Sequence, residues 1–108
     1  MAVEIWHNPR CSKSRQAMAY LEEKGITPEV RLYLKDRPSR EEIREMLDAL
    51  DLPATALLRK EGAALKTEVE SVIINAMAAD SSLIERPVIR IGNRAVIGRP
   101  TEKIDEIL

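Results

Sequence analysis

The sequence has no phenylalanine and holds a single cysteine, a single histidine and a single tryptophan in 108 residues. One thiol excludes an internal disulfide, and it excludes a zinc site built from cysteines. With aromatics at 3%, the core must be assembled from Leu, Ile, Val, Met and Ala. A formal net charge of −1 leaves no global basic field for nucleic acid and no acidic tail. No apolar run approaches the roughly 20 residues needed to span a bilayer. Glu4 and His7 interrupt any apolar start, so no signal peptide is expected. These absences lead us to expect a soluble protein of a reducing compartment, the cytoplasm, with neither nucleic acid nor membrane as partner.

What is present suits a globular protein: 44% of residues are hydrophobic and 32% charged. A chain of this length forms one domain, residues 1–108, and buries roughly two thirds of its unfolded surface. Ala2–Trp6 reads as a short buried strand, and the polar, proline-containing stretch 7–10 as a loop. A helix is expected from about Cys11 to Lys24, with Ala17, Met18 and Leu21 at helical spacing and Gly25 as its stop. Val30–Leu34 alternates as a second strand. Ser39 and Glu42 form a capping box that opens a helix through Ile43, Met46, Leu47 and Leu50. Pro53 suits a helix start, giving a short helix over Ala54–Lys60. Lys66–Ala79 follows as another helix, with Val69, Val72, Ile73 and Met77 on one side. Val88–Ile91 and Arg94–Ile97 flank the Gly92-Asn93 turn as a hairpin. A short helix over Pro100–Leu108 closes the chain.

The order is β-α-β, then helices, then a hairpin and a final helix. A helix between the first two strands makes them parallel, with a right-handed crossover, and the hairpin adds antiparallel strands. The expected fold is α/β and thioredoxin-like: a four-stranded mixed sheet flanked by helices, with a helical insertion.

Chemistry concentrates in HNPRCSKSR, residues 7–15, which contains the only histidine, the only cysteine and three cations. The strand-loop-helix reading puts Cys11 at a helix N-terminus, where four amides lack intrahelical partners and the dipole contributes roughly half a positive charge. A free thiol has a pKa of about 8.5, and a fall of about two units would make the thiolate the major species at neutral pH. Arg10, Lys13, Arg15 and His7 can each push that way. The Ser14 hydroxyl, one helical turn on, can donate to the sulfur, and Ser12 can help cap the helix. A lone cysteine is often only a small buried hydrophobe, but an apolar niche would not be flanked by Arg10, Ser12 and Lys13. His7 has two readings: a strand end bonded to a loop amide, or an electrostatic partner of the thiol. Because Ser14 stands where a C-x-x-C motif would have its second cysteine, any redox cycle must use an external thiol.

HNPRCSKSR after a strand, then LYLKDRPS, LLRK, LIERPVI and IGRP, resemble in that order the glutaredoxin-coupled arsenate reductase family, in particular its short bacterial members. The resemblance covers nearly the whole chain. It implies that Cys11 is the nucleophile toward arsenate or another small oxyanion, and that His7 and Ser14 tune its thiolate. It further implies that Arg59, Arg86 and Arg99 bind the oxyanion, and that the Arg86-Pro87 bond is cis. No bound cofactor is implied; glutathione enters as co-substrate and glutaredoxin as partner. About 5–6% of X-Pro bonds in folded proteins are cis, so backbone physics without the resemblance expects trans at Pro87. The stretch between Arg59 and Arg86 is shorter than in the long members, so the arrival of Arg59 at the site depends most on the tertiary fold.

Taken singly, each arginine has an ordinary explanation. Arg59 then solvates a helix beside Lys60, Arg86 pairs with Glu85, and Arg99 leads into the last helix. Two other functions remain open. One is a monothiol redox enzyme of the same fold acting on glutathionylated substrates. The other is a non-catalytic module docking on the transcription machinery, as in a sister family of redox-responsive regulators that usually carries C-x-x-C.

Overall fold

The computed structural model describes residues 2–108. Its sheet has the order β2-β1-β3-β4, from β1 (Val3–Trp6), β2 (Glu29–Arg31), β3 (Val88–Ile91) and β4 (Arg94–Ile97). β1 and β2 are parallel, β1 and β3 antiparallel, and β3 and β4 form the expected hairpin. α1 (Ser12–Glu23) makes the crossover from β1 to β2. α2 (Arg40–Leu50), α3 (Ala54–Leu57) and α4 (Glu70–Ala79) form the helical insertion before β3. The mixed α/β, thioredoxin-like plan expected from the order of elements is the one observed. No helix among the described residues is long and apolar enough to cross a membrane.

Alternation along the strands sends side chains to two cores, one on each face of the sheet. Val3 and Ile5 of β1, Ile89 and Ile91 of β3 and Val96 of β4 pack with Ala17 and Leu21 of α1 and with Ile104 and Ile107 near the C-terminus. Trp6, Val88 and Ala95 point the other way and meet α2, α3 and α4 through Ile43, Met46, Leu57, Ile73 and Met77. Burying a side chain of this size contributes about 1.5–3 kcal/mol, so the two cores together fix the sheet between its helices.

Local signals set several boundaries. The capping box forms: Glu42 N donates to Ser39 Oγ at 3.1 Å, and Ser39 N donates to Glu42 Oε1 at 2.9 Å. α1 ends where Gly25, at φ +75°, donates to Glu22 O and Ile26 donates to Leu21 O, both at 2.9 Å. This pattern needs a left-handed residue, which glycine adopts without steric cost.

Four expectations are corrected. β2 covers Glu29–Arg31, not Val30–Leu34, because the chain turns at Leu32, whose carbonyl accepts from Lys35 N and Asp36 N. The two-residue alternation runs on through that turn, with Val30, Leu32 and Leu34 exposed and Tyr33 buried. The helix expected over 54–60 stops at Leu57, since tertiary pairing captures the backbone there. Leu58 bridges to Ile84, Arg59 N donates to Leu83 O at 2.8 Å, and Glu85 N donates to Leu57 O at 2.7 Å. The helix expected from Lys66 begins at Glu70, after a 3-10 turn over Lys60–Leu65; Ile73, Ile74 and Met77 are buried, while Val69 and Val72 face out. The closing segment is a 3-10 turn, Thr101–Glu106, which buries Ile104.

Candidate active site

The site lies where β1 hands over to α1. His7 N still donates to Arg31 O of β2 at 2.9 Å, and the chain then leaves the sheet. Asn8 organises the loop: its side-chain Oδ1 accepts from Arg10 N at 3.0 Å, and its carbonyl accepts from Cys11 N at 3.0 Å. Arg15 Nη1 donates to Pro9 O at 2.9 Å and braces the loop from the first turn of α1. Cys11 is therefore the N-cap of α1, in extended conformation, one residue before the helix proper. The amides of Lys13 and Ser14, in the first turn of α1, are turned toward its sulfur.

Cys11 is 8% exposed. Burial pushes its thiol up, but the Arg86 guanidinium and the backbone amides of Ser14 and Lys13 outweigh it, so the thiol lies below its ordinary value. Arg99 Nη2 stands 3.6 Å from Sγ. Arg86 also reaches the sulfur, and its hydrogen bond and charge are the main influences that lower the thiol. The cations that act on the sulfur thus come from the far end of the sequence. Arg10, Lys13 and Arg15, the cations nearest in the chain, have exposed side chains, and none is among the main influences on the thiol.

His7 and Ser14 differ from expectation in what they do. The Ser14 hydroxyl lies 2.6 Å from His7 Nδ1 and accepts from Asn8 N at 3.0 Å. Both residues are buried. Ser14 thus presents its amide to the sulfur while its hydroxyl serves His7. Burial, with a smaller contribution from Arg15, lowers the His7 pKa, so the ring is neutral at pH 7 and adds no positive charge beside the thiolate. A neutral ring accepting at Nδ1 takes the Ser14 proton, which fits a serine oxygen already accepting from Asn8 N.

Arg59, Arg86 and Arg99 line one hollow of about 270 Å³, together with Lys60, Glu61 and Glu85. They arrive from separate elements: Arg59 from the end of α3, Arg86 from the approach to β3, and Arg99 from the exit of β4. The Arg86-Pro87 bond is cis, and so is Arg99-Pro100, which the sequence reading did not anticipate. Gly98 allows the two arginine-bearing segments to meet. Its amide donates to Pro87 O at 2.9 Å, and a Cβ at this position would lie 2.9 Å from Ile89 Cδ1 and 3.1 Å from Pro87 Cγ. Arg99 Nε then donates to Arg86 O at 2.7 Å.

The three guanidinium groups are not equally available. Arg59 donates to Glu61 Oε2 at 2.8 Å and to Ser82 O at 3.2 Å. Arg86 has two nitrogens, Nε and Nη1, that are buried without a hydrogen-bond partner among the described residues. The only other such side-chain atom there is Trp6 Nε1. A buried donor with no acceptor costs about 1–3 kcal/mol, more when charged, and such groups mark places where a ligand supplies the acceptor. An acid-shifted thiol beside unpartnered guanidinium donors can bring an anionic nucleophile against an oxyanion. Among the described residues no group of three or more His, Cys, Asp or Glu side chains converges as a metal site.

The sequence reading did not select Lys60, Glu61 or Glu85, which complete the hollow. Glu85 was legible only as a pairing partner of Arg86; in the structure its carboxylate accepts from Arg86 N at 3.3 Å and lies 4.0 Å from Arg99 Nε.

Comparison with known proteins places this geometry in a family. An arsenate reductase structure from Vibrio cholerae aligns with 100% of this chain and 98% of its own, at 40% identity and a TM-score of 0.93. Arsenate reductases of Haemophilus influenzae and Neisseria meningitidis are 36% and 34% identical; the first covers 100% of both chains, the second 98% of this chain and 97% of its own. The family model for ArsC matches residues 6–107, from the end of β1 through the last 3-10 turn, so that the Cys11 loop and all three arginines fall within it: the chain belongs to the ArsC family.

Proposed function

We propose that this protein reduces arsenate to arsenite, with Cys11 as nucleophile, glutathione as co-substrate and glutaredoxin as the protein that resolves the mixed intermediate. One observation carries the reading: two buried Arg86 donors lack partners beside a thiol whose pKa is lowered. Arsenate is an anion at neutral pH, and a thiolate approaching it meets like charge. Guanidinium groups hold both, because their planar fork binds two oxygens at once and stays charged. Arg86 and Arg99 would orient the oxyanion and stabilise the charge that develops as the S–As bond forms. Arg59, already bonded to Glu61, would close the far wall of the hollow.

The chemistry balances through external thiols. The Cys11 sulfur forms a bond to arsenic as one oxygen leaves as water. Glutathione forms a second As–S bond and displaces a second oxygen as water. A glutaredoxin thiolate then attacks the glutathione sulfur, and the electron pair of the glutathione S–As bond reduces As(V) to As(III). Hydrolysis of the remaining Cys11–As bond releases arsenite and restores the thiol. A protein with one cysteine needs an outside thiol at the second step, which is why the partners belong to the proposal.

The test is arsenate-dependent oxidation of NADPH in the presence of glutathione, glutaredoxin and glutathione reductase. We expect turnover that disappears in Cys11→Ser. A wild-type signal no higher than that of Cys11→Ser would overturn the reading. Turnover of a glutathionylated peptide that survives Arg86→Ala and Arg99→Ala would replace it with a monothiol reductase that makes no use of the oxyanion hollow.

A further inference from the structure

We propose that a groove beside the arginine hollow binds the external thiol, glutathione, with its free amino-acid end on the ion pair of Lys103 and Glu106 and its peptide bonds along the open edge of β4. The inference rests on the reading above, in which an outside thiol must reach arsenic on Cys11, and it names where that thiol binds. The groove has a volume of about 440 Å³. That lies within the roughly 300–1,000 Å³ of pockets that hold small molecules. Glu85 and Arg99 line both the groove and the hollow, so the two are continuous. Arg99 Nη2 is also the group 3.6 Å from Cys11 Sγ. A molecule lying in the groove therefore rests against the residue that touches the reacting sulfur.

The walls of the groove match the parts of this peptide. β4 is the last strand of the sheet, so one of its edges has no neighbouring strand. Gly98 N donates to Pro87 O, and the β3–β4 register then turns the backbone groups of Val96 toward β3 and those of Ala95 and Ile97 toward the open edge. All three β4 residues line the groove. An extended peptide pairs with such an edge through its own N–H and C=O groups, and glutathione has two amide bonds to offer. Leu52 and Ala56, both exposed, give an apolar wall for its methylene groups. Lys103 Nζ and Glu106 Oε2, also in the lining, lie 3.4 Å apart and are about half exposed. A cation and an anion at that spacing complement the carboxylate and ammonium of the γ-glutamyl end. Cysteine is the middle residue of glutathione, so an end anchored on this pair leaves the thiol to reach past Arg99 into the hollow.

The experiment has a binding arm and a kinetic arm. S-methylglutathione, which cannot react, is titrated into isotope-labelled wild-type protein with arsenate present, and backbone amide shifts are followed by NMR. We expect the amides of Ala95, Ile97 and Lys103 to move. In the coupled assay, Ala56→Trp, which fills the groove from an exposed position, should raise the glutathione KM about tenfold. The arsenate KM, the pH midpoint of Cys11 alkylation and the melting temperature should stay at their wild-type values. Glu106→Gln should raise the KM about threefold for glutathione, the scale of an exposed ion pair. It should leave unchanged the KM for glutaryl-cysteinyl-glycine, which lacks the ammonium group. Amide shifts that are absent, or confined to the Cys11 loop, overturn the proposal, as does a glutathione KM that Ala56→Trp does not move. A protein that turns over no arsenate but binds S-methylglutathione along β4 loses the proposed activity and keeps the groove. Arsenate turnover with no response from β4 does the reverse.

Discussion

Two half-buried arginines near the C-terminal end of β1 have opposite surroundings. Arg31, at the end of β2, is saturated: it pairs with the Glu42 carboxylate through both terminal nitrogens, and it donates to Asp36 O at 3.0 Å and Arg37 O at 3.2 Å. Arg86, at the approach to β3, leaves Nε and Nη1 unpartnered in a buried setting. Burial and charge do not separate the two; acceptors do. Arg31 joins β2 to the N-terminus of α2 and completes the capping box, so its charge is used within the fold. Arg86 keeps donors that the fold does not use, next to a thiol. A guanidinium satisfied by its own chain is part of the scaffold, and one left open beside a nucleophile is free to hold a ligand.

Arg86→Ala should break the comparison most sharply. Arsenate kcat/KM should fall about 10²–10³-fold, roughly the cost of removing one preorganised oxyanion donor. The pH midpoint of Cys11 alkylation should rise at the same time, since Arg86 is the main group holding the thiol down. Denaturant melts should show little loss of stability, because Nε and Nη1 are buried without partners in the fold. The reverse pattern, an unstable variant with normal turnover, would make Arg86 structural.

Arg31→Ala should give that reverse pattern. Its hydrogen bonds to a carboxylate and two carbonyls lead us to expect a loss of about 2 kcal/mol in urea unfolding, with the Cys11 alkylation midpoint unmoved. A change in thiol acidity would show that Arg31 is coupled to the site after all.

Arg99→Ala should have an intermediate effect on function. The side chain contacts Sγ at 3.6 Å but is exposed, so a loss of about tenfold in kcat/KM is expected, equivalent to about 1.4 kcal/mol. A loss as large as that of Arg86→Ala would mean that screening of Arg99 ends when substrate closes the hollow.

The smallest effect is on acid stability. Arg31 and the Ser39 amide hold the Glu42 carboxyl down to about 2. A carboxylate with a depressed folded pKa stabilises the protein fully above its ordinary value near 4.5, and that contribution is lost as pH falls toward 2. Glu42→Gln should therefore flatten the fall in melting temperature between pH 4.5 and pH 2, with only a modest loss at pH 7 because the pair is partly exposed. An unaltered acid limb would show that another group governs it.

Single residues show what a linear reading can reach. Ser39 and Glu42 announce the start of α2 because both capping bonds span three residues. Gly25 announces the end of α1 for a similar reason. Cys11 was legible as a helix-start thiol because a strand, a proline-containing loop and a helical repeat occur in immediate succession. β2 was read too far, to Leu34, because the alternation of Val30, Leu32 and Leu34 continues past the point where the chain turns. His7 and Arg15 were read as cations acting on the thiol, but solvation decided otherwise: His7 is buried and neutral, and Arg15 braces Pro9. Without the family resemblance, nothing local distinguished Arg86 from Arg31.

The sequence by itself determined the order of strands and helices, the position of the sulfur at the N-terminus of α1, and the caps that bound α1 and α2. Those features depend on hydrogen bonds and periodicities that close within a few residues. Tertiary structure alone decided which arginine keeps free donors, that Tyr33 is buried and where Ser14 spends its hydroxyl. Each of these depends on acceptors, charges and solvent brought together from distant parts of the chain.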